Sequence, residues 1–470
     1  MTTKQIPSLQ QEFERALGEI RTRVSLCAAD SEHFDVQRIA VAYSGGLDST
    51  VLLHLLQAYA AQHQLQLFAF HVHHGLSPNA DRWLAHCEQQ CAQSGVTFDA
   101  RRIQVESAGK SGIEEAARHS RYAALGEMCR KHRVPLLLTA HHQDDQAETV
   151  LLQLLRGSGV AGLSGMDEAN HATDLLGDST LLMGRPLLQL ARVDLEAWTN
   201  EHAIAFVEDE SNADTRYARN ALRHQVMPVL EQHFSGFQQR FARTAQHAQS
   251  AQQLLIELAE QDLVTCLDGD CLDVTRLAQF STNRVDNMLR YWFGSRGIRM
   301  PSTAWLNEMR TQLFEAKHDA QLCVTHVDCH IRRHRNLIFI TPKLDPMTLE
   351  QEPVAFNWNG ESSLHFAEFS GTLHFETAEQ GIDIGWLSGQ RLTIALRSGG
   401  ERLKLAWNRP TRSLKVHYQA CDVPAWERER LPLVFADRQL LFAAGIGMDC
   451  HGFATEPGVR VGFRWEFDPV

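Results

Sequence analysis

The residues Ile39 to Thr50 decide more about this chain than any others. Ile39, Ala40, Val41 and Ala42 form an apolar run suited to a buried strand. Tyr43 and Ser44 lead into Gly45 and Gly46, and Leu47, Asp48, Ser49 and Thr50 open a helical pattern that continues from Val51 to Leu56. A strand that turns through two glycines into a helix offers unpaired amides, here those of Leu47, Asp48 and Ser49, to an anion. The glycines let that anion approach without Cβ interference, and Ser44, Ser49 and Thr50 add hydroxyls. The loop lacks the lysine with which a P-loop reaches the γ-phosphate. Asp48 stands inside the cradle instead. A carboxylate beside a polyphosphate repels it unless a cation intervenes, so Asp48 implies Mg²⁺. An ordinary turn of small residues would explain Ser44, Gly45 and Gly46 alone; with Asp48 and Ser49 after an apolar strand the pattern is far more specific.

At 470 residues the chain exceeds one ordinary core, and two or three domains are expected. A net charge of −12 argues against a general nucleic-acid coat and leaves room for local basic patches. The polar, acidic stretch from Met1 to Ile20 resembles no export signal, and no apolar run has membrane-spanning length, so a cytoplasmic location is expected. The ten cysteines are scattered without a C-x-x-C pair, which fits reduced thiols. Cys87 and Cys91, beside His86, have helical spacing and read as buried structural residues in preference to metal ligands.

Strand and helix patterns alternate through the first half: helix over 9–26, strand 38–42, helix 49–61, strand 65–71, helix 81–94, strand 96–105, helix 112–132 and strand 134–140. That alternation predicts an α/β, doubly wound parallel sheet. Ligands of such sheets lie beyond the carboxyl ends of the strands. Ser44 to Ser49, His71 to Gly75 and His141 to Asp145 are therefore expected to converge on one crevice. His71, His73 and His74 suggest a metal site, but wall residues of a nucleotide pocket are the favoured reading. Arg118 and Arg121 lie one turn apart on a helix face, where one guanidinium can reach phosphate. Asp144, Asp145 and Glu148 open a helix and suit its dipole; at a strand end in this sheet they are expected to touch metal or substrate, binding an amine or removing its proton.

From Arg156 to Met166 the glycines predict a mobile loop over the substrate. Between Glu208 and His224 the chain changes from acidic to basic, and Tyr217, Arg219 and Arg223 suit phosphate contact with base stacking.

The Ser44 to Ser49 loop resembles the pyrophosphate loop of N-type ATP pyrophosphatases. Together with His71 to Leu76 and Asp81, Glu115 to Tyr122, Thr139 to Thr149, Arg156 to Met166, Arg185 to Leu188, and Ser211 to Arg223, the chain is similar to the tRNA(Ile)-lysidine synthases. The resemblance spans the first half in order. It implies an ATP-dependent ligase that adenylates the wobble cytidine of a CAU-anticodon isoleucine tRNA and then joins L-lysine to C2, giving lysidine, AMP and pyrophosphate. The expected site follows from it. Asp48, Asp145 and Arg118 are catalytic; Ser44, Gly45, Gly46, Leu47, Asp48, Ser49, His71 and His74 hold ATP; Asp48 holds Mg²⁺. Asp144, His142, Glu148, Arg219 and Arg223 hold the other substrates. A homodimer is compatible with this expectation.

The expected domains are a catalytic one over 1–225, a mainly helical tRNA-contacting one over 226–343, a linker at 344–363 and an α+β tRNA-binding domain over 364–470. The last two domains carry the basic segments Arg284 to Arg299 and Arg397 to Lys415, suited to a tRNA body. A tRNA thiolase on the same fold is the alternative enzyme, but such enzymes use a cysteine pair or an iron–sulfur centre, and only Cys129 falls near the crevice motifs in sequence. An inert RNA-binding module is the third reading, and the intact Asp48, Asp144 and Asp145 argue against it.

Overall fold

A computed structural model describes residues 8–28, 35–73, 75, 77–103, 113–210, 214–315, 322–343 and 351–468. His74, Leu76, Gly112 and Ser211 to Ala213, singled out above, lie outside the described residues. The chain forms two compact units, Met1–Leu255 and Ile256–Val470.

In the first unit, α1 (Leu9–Ala28) precedes β1 (Arg38–Ala42), α2 (Leu47–His63), β2 (Gln66–His73), α3 (Ala80–Ser94), β3 (Thr97–Arg102), α4 (Ile113–His132), β4 (Leu136–Leu138) and α5 (Gln143–Leu155). Then come α6 (Val160–Leu163), β5 (Ala169–Asn170), α7 (Thr173–Leu176), β6 (Leu182–Gly184), α8 (Arg192–Glu201), α9 (Ala218–Ala221), α10 (Met227–His233) and α11 (Phe237–Cys266), whose residues after Leu255 belong to the second unit. The sheet order is β3-β2-β1-β4-β6-β5, parallel except for β5.

The central strands are apolar on both sides because helices cover both faces. Ile39, Val41, Leu67, Ala69, Leu136 and Leu138 face a core shared with α1, α2 and α3. The alternate residues Ala40, Phe68, Phe70 and Leu137 face Tyr122, Leu125 and Met128 of α4. After β3 the chain returns to place β4 beside β1, pairing Ile39 with Leu136 and Val41 with Leu138. That reversal is the switch point at which a doubly wound sheet opens a crevice.

The second unit has a five-stranded antiparallel sheet, β7 (Leu267–Asp268), β8 (Cys271–Asp273), β9 (Leu322–Thr325), β10 (Cys329–His334) and β11 (Leu337–Pro342), in the order β7-β8-β11-β10-β9. Helices α12 (Val274–Leu277), α13 (Thr282–Gly294) and α14 (Thr303–Glu315) pack on it. On α13, Val285, Met288, Leu289, Trp292 and Phe293 are buried at helical spacing. The region expected to be mainly helical is thus α+β, because β7 to β11 form a sheet on which its helices pack. The 344–363 stretch is not all linker either: β12 (Val354–Phe356) pairs with Leu392–Ala395, and Trp358 is buried in the terminal core. Polar composition hid this short edge strand.

Candidate active site

The phosphate cradle is held from below. Gly45 has φ +84°, and a Cβ there would lie 2.8 Å from Cys87 Sγ and 3.1 Å from Val207 Cγ2. Both the left-handed backbone and the close floor require glycine. Val207 N–H donates to the Gly45 carbonyl at 2.9 Å, so a distant segment fixes the turn. The hydroxyls expected to face the ligand instead stitch the loop. Ser49 Oγ donates to Gly46 O at 3.0 Å and accepts from Ser44 Oγ at 3.0 Å, while Thr50 Oγ1 reaches Gly46 O at 2.9 Å. Ser49 and Thr50 are buried. The helix ladder begins with Thr50 N–H on Gly46 O, so the amides of Leu47, Asp48 and Ser49 precede it and point their dipoles at the crevice.

Asp48 and the start of α5 meet across the switch point. His142 is 1% exposed, and its Nε2 lies 3.3 Å from Asp145 Oδ2 and 3.7 Å from Asp48 Oδ2. Its Nδ1 is 3.7 Å from Asp144 Oδ2. Burial pushes His142 toward neutrality, but Asp145, Asp48 and Asp144 outweigh it and raise its pKa. Burial likewise opposes the charge on Asp145, yet His142, His141 and Arg219 hold that carboxyl below the usual range. His141 goes the other way, pushed by burial down to about 3, with Arg185, Arg219 and Arg118 adding to the effect against Asp145. Its Nδ1 is 2.9 Å from Thr139 Oγ1. Asp48 Oδ1 is buried without a hydrogen-bond partner, an orphaned anionic oxygen beside the loop that fits a divalent cation.

Asp144 and Glu148 are more committed than the sequence reading anticipated. Asp144 Oδ2 accepts from Arg192 N–H at 2.9 Å and so caps α8. Glu148, 1% exposed, is gripped by Arg219 Nε at 2.7 Å and by Arg223 Nε at 2.6 Å. Both guanidiniums also reach Asp145 Oδ1, at 3.1 and 3.2 Å. The arginines expected to meet tRNA phosphate therefore form a four-member ion cluster behind the acidic turn. Tyr217 is exposed beside them. Arg118 lies over the Tyr122 ring at 5.0 Å.

His71 is buried with Nδ1 2.9 Å from Tyr43 O, at the end of β1. The glycine-rich segment is not simply mobile. It contains α6, and Gln146 pins it by donating to Met166 O and accepting from Met166 N–H at 2.9 and 2.8 Å. Gln249 adds bonds to Ser164 O and Met166 O at 2.9 and 3.0 Å. A Cβ at Gly165 would strike the Gln146 amide.

Val207, Gln146, Arg192 and Gln249 escaped the sequence reading because each acts across a long separation; Cys87 reads in sequence as a buried structural residue, but not as the floor of the loop. Cys87 is the cysteine that touches the loop, and burial pushes its thiol up to about 12, unlike a reactive sulfur. Beside the acidic turn a cavity of about 220 Å³ is lined by Asp144, Glu148, Arg192, Arg223, Met227 and Glu231, among others. A larger one, about 440 Å³, is lined by Glu12, Arg15, Glu168, Arg243 and several glutamines and contains none of the loop residues; its chemistry does not join that of the crevice.

A doubly wound sheet with this loop at its switch point defines an ATP-using enzyme of the PP-loop class, and the PP-loop domain model matches residues 10–230. The TilS substrate binding domain matches 272–339 and the TilS substrate C-terminal domain 392–465. The tRNA(Ile)-lysidine synthase of Ralstonia nicotianae is 41% identical over 454 residues, 95% of this chain and 96% of the relative. That of Burkholderia pseudomallei is 40% identical, covering 92% and 93%, and that of Coxiella burnetii 35%, covering 97% and 99%. The chain belongs to the tRNA(Ile)-lysidine synthase family. Among solved structures, the U34-tRNA thiolase NcsA from Methanococcus maripaludis is similar with TM-score 0.38 and 15% identity, over 50% of this chain and 79% of that one.

Proposed function

We propose that this ATP-dependent ligase joins L-lysine to C2 of the wobble cytidine in the CAU anticodon of isoleucine tRNA, in the cytoplasm. The observation that carries the reading is the meeting of Asp48, His142 and Asp145, which supports an ATP cradle beside a site for a cationic amine. ATP lies with its phosphates on the Leu47, Asp48 and Ser49 amides. The cytosine O2 attacks the α-phosphorus and pyrophosphate leaves. The lysine Nε, after losing a proton, attacks C2, and the C2–O bond breaks to release AMP.

Fixed donors around the reacting phosphate stabilise developing charge without reorganisation. Arg118 and the loop amides are suited to this, and His71 closes the wall by ordering the Tyr43 carbonyl. Asp48, through its orphaned oxygen, would hold Mg²⁺. An ion held there would screen Asp48 from polyphosphate and withdraw charge from the phosphate oxygens.

Asp145 is depressed in pKa and therefore suits holding an ammonium better than removing its proton. The adjoining cavity offers Asp144 and Glu231 to amino groups, Arg192 to a carboxylate and Met227 to an aliphatic stem, a set that fits a free lysine. Arg219 and Arg223 support this wall through Glu148. Residues beyond about 226 hold the tRNA body.

Mass spectrometry of nucleosides from isoleucine tRNA incubated with enzyme, ATP and lysine tests the proposal: a cytidine heavier by one condensed lysine is expected. Unmodified cytidine, or a thiolated base with a sulfur donor, overturns it. Asp145→Ala should slow the amine step more than adenylation, read by rapid-quench detection of adenylated tRNA. Light scattering decides whether the working form is a homodimer.

A further inference from the structure

In the second unit, Arg402–Leu403 and Arg412–Ser413 form a two-stranded hairpin. Leu403 is buried at its base, and the tip displays Trp407 with 59% of its surface exposed. Large aromatic side chains are seldom left so open without a partner.

This indole is also braced. Lys404 Nζ sits 5.6 Å from the ring centroid, and the His451 ring meets it edge-on at 5.6 Å and 85°. Asp449 sets both neighbours: one oxygen accepts from Lys404 N–H at 3.1 Å, and the other takes His451 N–H at 2.8 Å and its Nδ1 at 2.7 Å. Asp449, Cys450 and His451 have ligand-type atoms close together, but with both Asp449 oxygens engaged the group serves as a brace, not a metal site.

The charge around the platform is unspent. Among the described residues, Arg397, Arg402, Lys404, Arg409, Arg412 and Lys415 make no ion pair with a carboxylate, and the nearby Glu401 is turned onto the Ser398 and Gly399 amides. The other basic segment differs. There Arg284 is paired with Asp262, Arg296 with Asp270 and Arg299 with Asp328, while Arg290 bonds Pro301 O and Thr303 Oγ1. A chain of net charge −12 that leaves these six basic side chains without a carboxylate partner among the described residues presents them to a polyanion. The exposed residues that follow the indole are Asn408, Arg409, Pro410 and Thr411, while Leu405 and Ala406 before it are half-buried, Leu405 against the terminal core, so the exposed rim is mostly polar.

We propose that Trp407 is a stacking platform for an unpaired base of bound RNA, with Lys404, Arg409 and Arg412 on the flanking phosphates. The inference rests on the tRNA reading above and adds to it a specific contact. A pre-positioned ring stacks on any base, with little side-chain freedom left to lose.

Filter binding of the full chain to isoleucine tRNA over a salt series tests it. Trp407→Ala should weaken binding about 5- to 150-fold with an unchanged salt slope, and Trp407→Phe should restore most of the loss. Arg409→Ala with Arg412→Ala should lower the slope by about 0.7 to 0.9 per charge removed. Unchanged melting temperatures separate these effects from unfolding. Equal tRNA affinity of Trp407→Ala and wild type overturns the platform, as does Trp407-dependent sedimentation with anionic phospholipid vesicles at unchanged tRNA affinity. Wild-type enzyme that forms no lysidine overturns the functional reading itself, a separate result.

Discussion

Replacing Glu148 by Gln distinguishes a brace from a substrate ligand. The wild-type carboxylate is 1% exposed and accepts from Arg219 Nε at 2.7 Å and from Arg223 Nε and Nη2 at 2.6 and 3.0 Å. With Asp145 the cluster is neutral, two anions against two cations. Gln keeps the volume, removes one negative charge and sets an amide donor against guanidinium donors. Removing one partner of a buried pair costs about 3–5 kcal/mol. Because Arg219 and Arg223 keep 28% and 25% of their side-chain exposure and retain Asp145, the lower end, about 3 kcal/mol, applies. For a unit of this size each kcal/mol shifts the melting temperature by about 2–4 °C, so a fall of about 6–12 °C is expected. Calorimetry of the full chain measures it. Arg223→Gln in the same background should cost less than it does alone, with a coupling of about 1–3 kcal/mol. A Glu148→Gln protein that melts like wild type yet makes no lysidine would refute the brace and return Glu148 to the substrate.

Asp48→Asn should lower the modification rate about 100-fold or more with little change in melting temperature, since the orphaned oxygen loses its charge; a near-normal rate at saturating Mg²⁺ contradicts the cation role. Gly45→Ala should destabilise by about 1–3 kcal/mol through its φ of +84° and abolish ATP–pyrophosphate exchange, whereas normal exchange shows a more yielding floor. Burial holds the folded pKa of His141 at about 3, below the ordinary 6.5. As pH falls through this window the unfolded chain binds the proton first, and stability drops by up to about 1.4 kcal/mol per pH unit. His142, with a raised pKa, contributes constantly below its unfolded value and does not mask the trend. His141→Asn should flatten that slope in urea titrations across the window; an unaltered slope refutes it. A chain ending near Leu344 should bind ATP normally yet modify isoleucine tRNA poorly and with a flatter salt dependence, and unchanged rates would move tRNA binding elsewhere.

The sequence by itself determined the parts whose physics is local. Periodicity located α1 to α4 and β1 to β4 because each carries its apolar pattern within a few residues, and the acidic residues Asp144, Asp145 and Glu148 marked the start of α5. The Gly45-Gly46 turn and Asp48 were legible because strand, glycines and helix start are contiguous. The rule of strand ends brings His142 and Asp145 to the same crevice, since parallel strands must align their carboxyl ends. Tertiary structure decided what each polar group does once it arrives. Ser49 and Thr50 read as ligand hydroxyls but bond the loop's own carbonyls, and Arg219 and Arg223 read as phosphate contacts but grip Glu148 from some 71 to 75 residues away. Cys87 and Val207 under Gly45, and Gln146 and Gln249 on the glycine-rich segment, have no local signature. The same holds for the contrast between Arg284, Arg296 and Arg299, each paired with a carboxylate, and the basic residues from Arg397 to Lys415, which are not. A side chain's type limits which bonds it can make; whether those bonds are made within the protein or left for a ligand depends on neighbours that only the folded chain brings within reach.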